Sequence, residues 1–150
     1  MTETNKKSME MAESFLKRAR NKLDEAEEHL KKRHYSESIS ASQECIELSI
    51  KAIFLLCQKE YPKRHEFKEE EFEAIFKKIP EKLEYLEFPR IYLYALFWQT
   101  FYTVAKYGFE KIGVGAEKLF KKEETELALK HAEECESIAA QLKNYLENPW

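Results

Sequence analysis

Residues 35–58 read YSESISASQECIELSIKAIFLLCQ, and the placement of their apolar side chains decides the architecture. At about 100° per residue, Ile39, Ile46, Ile50, Ile53 and Cys57 fall on one stripe of a helix, and Ala41, Cys45, Leu48, Ala52, Leu55 and Leu56 fall on a second. Only a narrow polar face is left, carrying Ser40, Glu44, Glu47, Lys51 and Gln58. Glu47 precedes Lys51 by one turn, the order that favours an ion pair. Ser42 and Ser49 lie between the stripes and are small enough to let neighbouring helices approach closely. A helix apolar over so much of its circumference belongs inside a bundle, in contact with several partners.

Composition agrees with an all-α fold. The 150 residues suffice for one domain with a substantial core. Acidic residues are 27 Glu against the single Asp24, beside 20 Lys, a balance that favours helix over turn. Charges alternate in sign along the chain, and the net charge of -3 gives no long-range attraction to nucleic acid or anionic membrane. Cys45, Cys57 and Cys135 lack metal-ligand spacing; Cys45 and Cys57 are three turns apart on one helix and cannot bridge, so all three read as buried thiols in a reducing compartment. No signal-like run opens the chain, and the most apolar stretch, 91–105, is too short to cross a bilayer, which predicts a soluble cytoplasmic protein.

Five helices in one domain, residues 1–150, are expected, arranged up and down. The first runs from an N-cap at Ser8 to Arg33, and its terminal Lys31, Lys32, Arg33 and His34 suit the macrodipole as well as a nucleic-acid patch. A short connection makes the second helix its antiparallel neighbour, capped by Ser36 or Ser38. Pro62 ends that helix. A third begins near Glu69 and is interrupted at Pro80. The stretch Arg90–Gly108 reads as another helix, with Tyr94, Phe97, Trp98, Phe101 and Tyr102 on one side, more aromatic surface than one small bundle can hide. The surplus predicts a symmetric homodimer. All three glycines fall in 108–115, a C-cap and turn; the spacing of Gly108 and Gly113 suggests a phosphate loop, but Val114 and Gly115 replace its Lys and Ser/Thr and no strand precedes it. The last helix spans Glu123 to Leu146, with Leu127, Ala128, Ala132, Cys135, Ile138, Ala139 and Leu142 as its apolar face, and the tail to Trp150 frays.

The residues offer little catalytic chemistry. His29, His34, His65 and His131 form no zinc-type pair, and His131 with Cys135 reads as a surface histidine beside a core thiol. No Ser or Cys sits in a nucleophile elbow. No metal or cofactor is expected.

A family resemblance adds what spacing cannot. Ala19, Leu23, Ala26 and Leu30, then Tyr35, then Ser42-Gln43-Glu44-Cys45-Ile46-Glu47 with Lys51-Ala52, and finally Pro62 with His65-Glu66-Phe67, resemble the HEPN family. Lys106-Tyr107-Gly108 resembles a variant of that family's Arg-Tyr-Pro segment. The resemblance implies a helical bundle that dimerises, and either a metal-independent ribonuclease or a module that binds a nucleotide, RNA or a minimal nucleotidyltransferase in a toxin–antitoxin-like pair. The ribonucleases carry an Arg followed, after four to six residues, by a His. None of Arg18, Arg20, Arg33, Arg64 and Arg90 has a His at that distance. Lys106 and Lys111 stand nearest the motif's place, and lysine neither forks a phosphate nor supplies a neutral base near pH 7. The expectation is therefore a non-catalytic binding module using Glu44, Glu47, Lys51, Lys106 and Lys111, with a divergent ribonuclease or an assembly protein as alternatives.

Overall fold

The computed structural model describes residues 3–57, 60–64 and 66–149. Gln58, His65 and Trp150, all used in the sequence reading, lie outside them. The described chain forms six α-helices: α1 (Glu3–Lys31), α2 (Tyr35–Leu56), α3 (Glu69–Phe76), α4 (Pro89–Gln99), α5 (Tyr102–Tyr107) and α6 (Lys122–Glu147), with 3₁₀ turns at Glu81–Leu86, Glu110–Ile112 and Ala116–Lys118. Beyond the helices, Phe109 and Val114 form an isolated antiparallel bridge. The fold is an all-α bundle.

Helix α2 is its centre because its faces meet three neighbours. Ser38 Oγ donates to the Ala26 carbonyl of α1 at 2.7 Å, Cys45 Sγ approaches the Ala132 carbonyl of α6 at 3.7 Å, and Gln43 Nε2 donates to the Trp98 carbonyl of α4 at 2.6 Å. Ile39, Ile50, Ile53, Ser42 and Ser49 have no exposed surface. Burying each isoleucine contributes about 1.5–3 kcal/mol, and the serines admit α1 and α6 without a steric penalty. All three cysteines are buried. Burial pushes the Cys45 thiol up to about 12 and the Cys57 thiol up to about 11.

Several boundaries differ from expectation. Ser8 is not an N-cap, since α1 already begins at Glu3. Lys31 ends α1, and Arg33 adopts a left-handed conformation (φ 63°) so that His34 N–H can reach the His29 carbonyl at 2.8 Å, closing a Schellman-type turn. Neither Ser36 nor Ser38 caps α2: His34 occupies that position, Ser36 is buried, and the Ser38 hydroxyl is engaged by α1. Pro80 separates α3 from the 3₁₀ turn as expected. The aromatic stretch is not one helix, because it breaks at Thr100 and Phe101 between α4 and α5. In α6, Leu127 is exposed, and Thr125 fills the buried position instead, its hydroxyl donating to the Lys121 carbonyl at 2.7 Å.

Gly108 has a structural reason. It caps α5 at φ 77°, and a Cβ there would come within 2.4 Å of the Val114 carbonyl oxygen, so only glycine lets the loop 109–116 fold back.

Candidate ligand site

The expected site residues separate onto different surfaces. Glu44 and Lys106 come together: Glu44 lies 3.2 Å from Lys22 and 3.9 Å from Lys106, whose ammonium sits 4.7 Å from the centre of the Tyr102 ring. A hydrogen bond with Tyr102 holds the Lys106 pKa above its ordinary value, so this group is a fixed cation and no base. The groove around it carries Lys22 and Lys106 against Glu25, Glu37, Glu44 and Glu117, an excess of carboxylate that repels phosphate. Lys111 is exposed in a 3₁₀ turn and does not line this groove.

Glu47 and Lys51 form the ion pair expected of them, at 3.0 Å. The pair is mostly buried, and Lys51 lies 5.8 Å from the centre of the Tyr61 ring rather than in open solvent. Glu47 instead lines a cleft of about 290 Å³ formed by α2, α4, α5 and the side chains of Arg64, Glu66 and Phe67. Its walls are aromatic, from Phe67, Trp98 and Tyr102, and Gln43 lines it one turn before Glu47. Phe67 is fixed there by a ring contact to Phe54 at 5.9 Å and by its N–H, which donates to Gln99 Oε1 at 3.4 Å. Arg64 stands at the mouth, tied to Glu71.

At the α4–α6 corner, Tyr94 is almost fully buried and joins Arg90 and Glu134: Arg90 Nε donates to its hydroxyl at 3.0 Å, and that hydroxyl donates to Glu134. His131 stacks on Tyr94 with ring centres 3.9 Å apart and accepts from Trp98 Nε1, so it is not the surface histidine the sequence predicts. Burial lowers its pKa.

At the end of α1 and start of α6, Lys31, Arg33 and Lys122 line a crevice with Leu30 and Tyr35, without a carboxylate among its lining residues. Lys122 also pairs with Glu126 at 3.7 Å. Among the described residues, no group of three or more His, Cys, Asp or Glu side chains could hold a metal ion, and no helix is long and apolar enough to cross a membrane.

The family model of the HEPN domain matches residues 12–142, from α1 through α6. The chain belongs to the HEPN domain family. No curated protein and no solved structure matches it. For this HEPN domain, sequence reasoning singled out charged residues on α2 and near the glycines, but gave no site role to Gln43 or Trp98. The available signal was Gln43 itself, an amide in a helix whose neighbouring faces are apolar.

Proposed function

We propose that this HEPN domain is a non-catalytic module that binds RNA or a nucleotide and works beside a protein partner, such as a minimal nucleotidyltransferase in a toxin–antitoxin-like pair. The observation that carries the reading is the crevice of Lys31, Arg33 and Lys122, where cations converge without a carboxylate in the lining. Phosphates bound there release counterions, and three such contacts to a single strand give a slope of log K against log salt of about -2. Fluorescence anisotropy with labelled single-stranded RNA at several salt concentrations tests this. Exchanging Lys31 and Arg33 for Glu should weaken binding by about tenfold or more; unchanged affinity would reject the reading.

Chemistry supports the non-catalytic half. Metal-free RNA cleavage needs a base for the 2′-hydroxyl proton and a fixed cation at phosphorus. Lys106 stays protonated and is held by Glu44. Arg90, His131 and Glu134 do favour a ribonuclease as a second reading, since a guanidinium, an imidazole and a carboxylate gather around Tyr94. That reading ranks lower because His131 Nδ1 is occupied by Trp98, and because the adjoining groove sets Glu87, Glu133 and Glu134 against Arg90 and Lys130. Incubation with structured and single-stranded RNA in EDTA should leave both intact.

The same reading includes a homodimer. Leu93, Leu96 and Phe97 share one face of α4 and are 53%, 44% and 45% exposed, an apolar stripe of the kind a twofold contact covers. Light scattering should give about twice the 17.9 kDa of the chain.

A further inference from the structure

The cations at the end of α1 divide between two surroundings. Lys32 pairs with Glu28 at 3.4 Å, whereas Lys31 and Arg33 line the crevice with Lys122, and among the described residues neither has a carboxylate partner. Lys122 meets Glu126 at 3.7 Å with its side chain 69% exposed, a contact that water screens. Arg33 supplies its charge from a strained position. It holds φ 63°, where a Cβ crowds the following carbonyl and glycine is the ordinary residue, so a guanidinium is kept here at a cost in stability. Helix ends add little, since α2 and α6 begin at the crevice, at Tyr35 and Lys122, but α1 ends there, and the opposed partial charges offset one another in part. Leu30 and Tyr35, both half-buried, form the apolar side of the space, which is about 440 Å³. That lies in the lower part of the range for ligand pockets, about 300–1,000 Å³, room for one nucleotide with its phosphates and no track for a strand.

We propose that this crevice takes the phosphorylated end of an RNA strand, a terminal phosphate monoester together with the first phosphodiester beside it. The inference rests on the RNA-binding reading above and names the part of the strand that is held. A phosphate monoester carries about -1.5 to -2 charges at neutral pH, and the neighbouring diester adds one more, so the pair matches the cations of Lys31, Arg33 and Lys122 gathered in one place. Internal phosphates present single charges strung along the backbone, which suit cations spaced along a groove. The Arg33 guanidinium can fork two oxygens of the monoester, and Lys31 and Lys122, on flexible four-carbon stems, reach the remaining ones. The terminal base lies against Tyr35, a contact open to any base, so the end is read by its charge and not by its sequence.

Fluorescence anisotropy on the full chain tests the proposal with one short single-stranded RNA in paired forms: 5′-phosphate against 5′-hydroxyl with the dye at the 3′ end, and 3′-phosphate against 3′-hydroxyl with the dye at the 5′ end. In at least one pair the phosphorylated form should bind about tenfold or more tighter than its hydroxyl counterpart, and that pair identifies the end that is held. Arg33→Lys keeps the charge and removes the fork; it should cut the preference to about threefold or less while hydroxyl-ended RNA binds nearly as before. Lys122→Ala should lower the preference as well. Both side chains are exposed, so the thermal melts of these variants should stay close to that of the native chain. Equal affinity within both pairs, or a full preference in Arg33→Lys and Lys122→Ala alike, would overturn the proposal. So would displacement of the phosphorylated RNA by an oligoglutamate peptide as readily as by unlabelled RNA, which would assign the crevice to an acidic protein segment. If hydroxyl-ended RNA binds through Lys31 and Arg33 with no gain from the phosphate, end recognition fails and the RNA-binding module stands; if no RNA binds, both fail.

Discussion

The indole Nε1 of Trp98 donates to Nδ1 of His131 across 2.9 Å, joining α4 to α6. A ring nitrogen that accepts this bond carries no proton, so the contact selects a neutral imidazole with its hydrogen on Nε2. Burial works in the same direction. Because the folded-state pKa lies below the ordinary value of 6.5, this contribution to stability is complete above that value and is lost as pH falls from it toward the lower folded value. Urea midpoints measured between about pH 8 and about pH 5 should therefore fall more for the native chain than for His131→Gln, which keeps an acceptor and does not titrate. Equal falls would show that His131 is not the group responsible.

The buried thiols give the opposite limb. Folding raises Cys45 to about 12 and Cys57 to about 11, and Cys135 well above its ordinary value, in each case chiefly by burial. An unfolded thiol ionises near about 8.5. Stability from these groups is thus fully present below that value and is lost as pH rises through the folded values. Aromatic disulfide reagents should react slowly with the native chain at neutral pH and rapidly once it is unfolded in denaturant, and rapid native reaction at three thiols would contradict their burial.

Leu48 is 6% exposed in the middle of α2. Leu48→Ala should lower stability by about 2–5 kcal/mol, because the lost methyl groups leave a cavity between packed helices. A change below about 0.5 kcal/mol, typical of a surface site, would displace α2 from the centre of the fold.

Arg33 holds φ 63° where helix termini ordinarily use glycine. Its side chain is exposed, so Arg33→Gly removes the left-handed strain without removing packing and should stabilise the chain by about 0.5–1 kcal/mol. The same variant should bind RNA more weakly, since a cation leaves the crevice. A rise in melting temperature with a loss of affinity is the expected pair of readings.

The stripes of α2 were legible because hydrophobic periodicity is local, and Pro80 marked a break because proline lacks an amide wherever it stands, whereas α2 ends at Leu56, ahead of Pro62. The break at Thr100 had no such marker. There the Thr100 hydroxyl donates to the Phe97 carbonyl at 2.7 Å and Phe101 takes φ -100°, ψ 1°, a conformation that no glycine or proline announces. Ser38 misled for a similar reason, since a hydroxyl suited to a helix cap was drawn instead to the Ala26 carbonyl on another helix. Of the site, the Glu47–Lys51 pair followed from spacing along one helix. The salt bridge of Lys106 to Glu44 joins residues 62 positions apart, and the cleft around Gln43 draws on four separate segments, neither of which a periodicity can supply.

The carbonyl of Trp98 receives two donors, the Gln43 amide at 2.6 Å and the Phe101 N–H at 3.0 Å. In an uninterrupted helix that oxygen would be claimed by the amide of Tyr102, four residues on. Bending the aromatic rod moves the main-chain bond at this carbonyl from the fourth to the third amide along, and Gln43, on its second lone pair, acts as a latch on the bend. That latch ties α2 to the joint between α4 and α5, and so joins the wall of the cleft to the segment that carries Lys106.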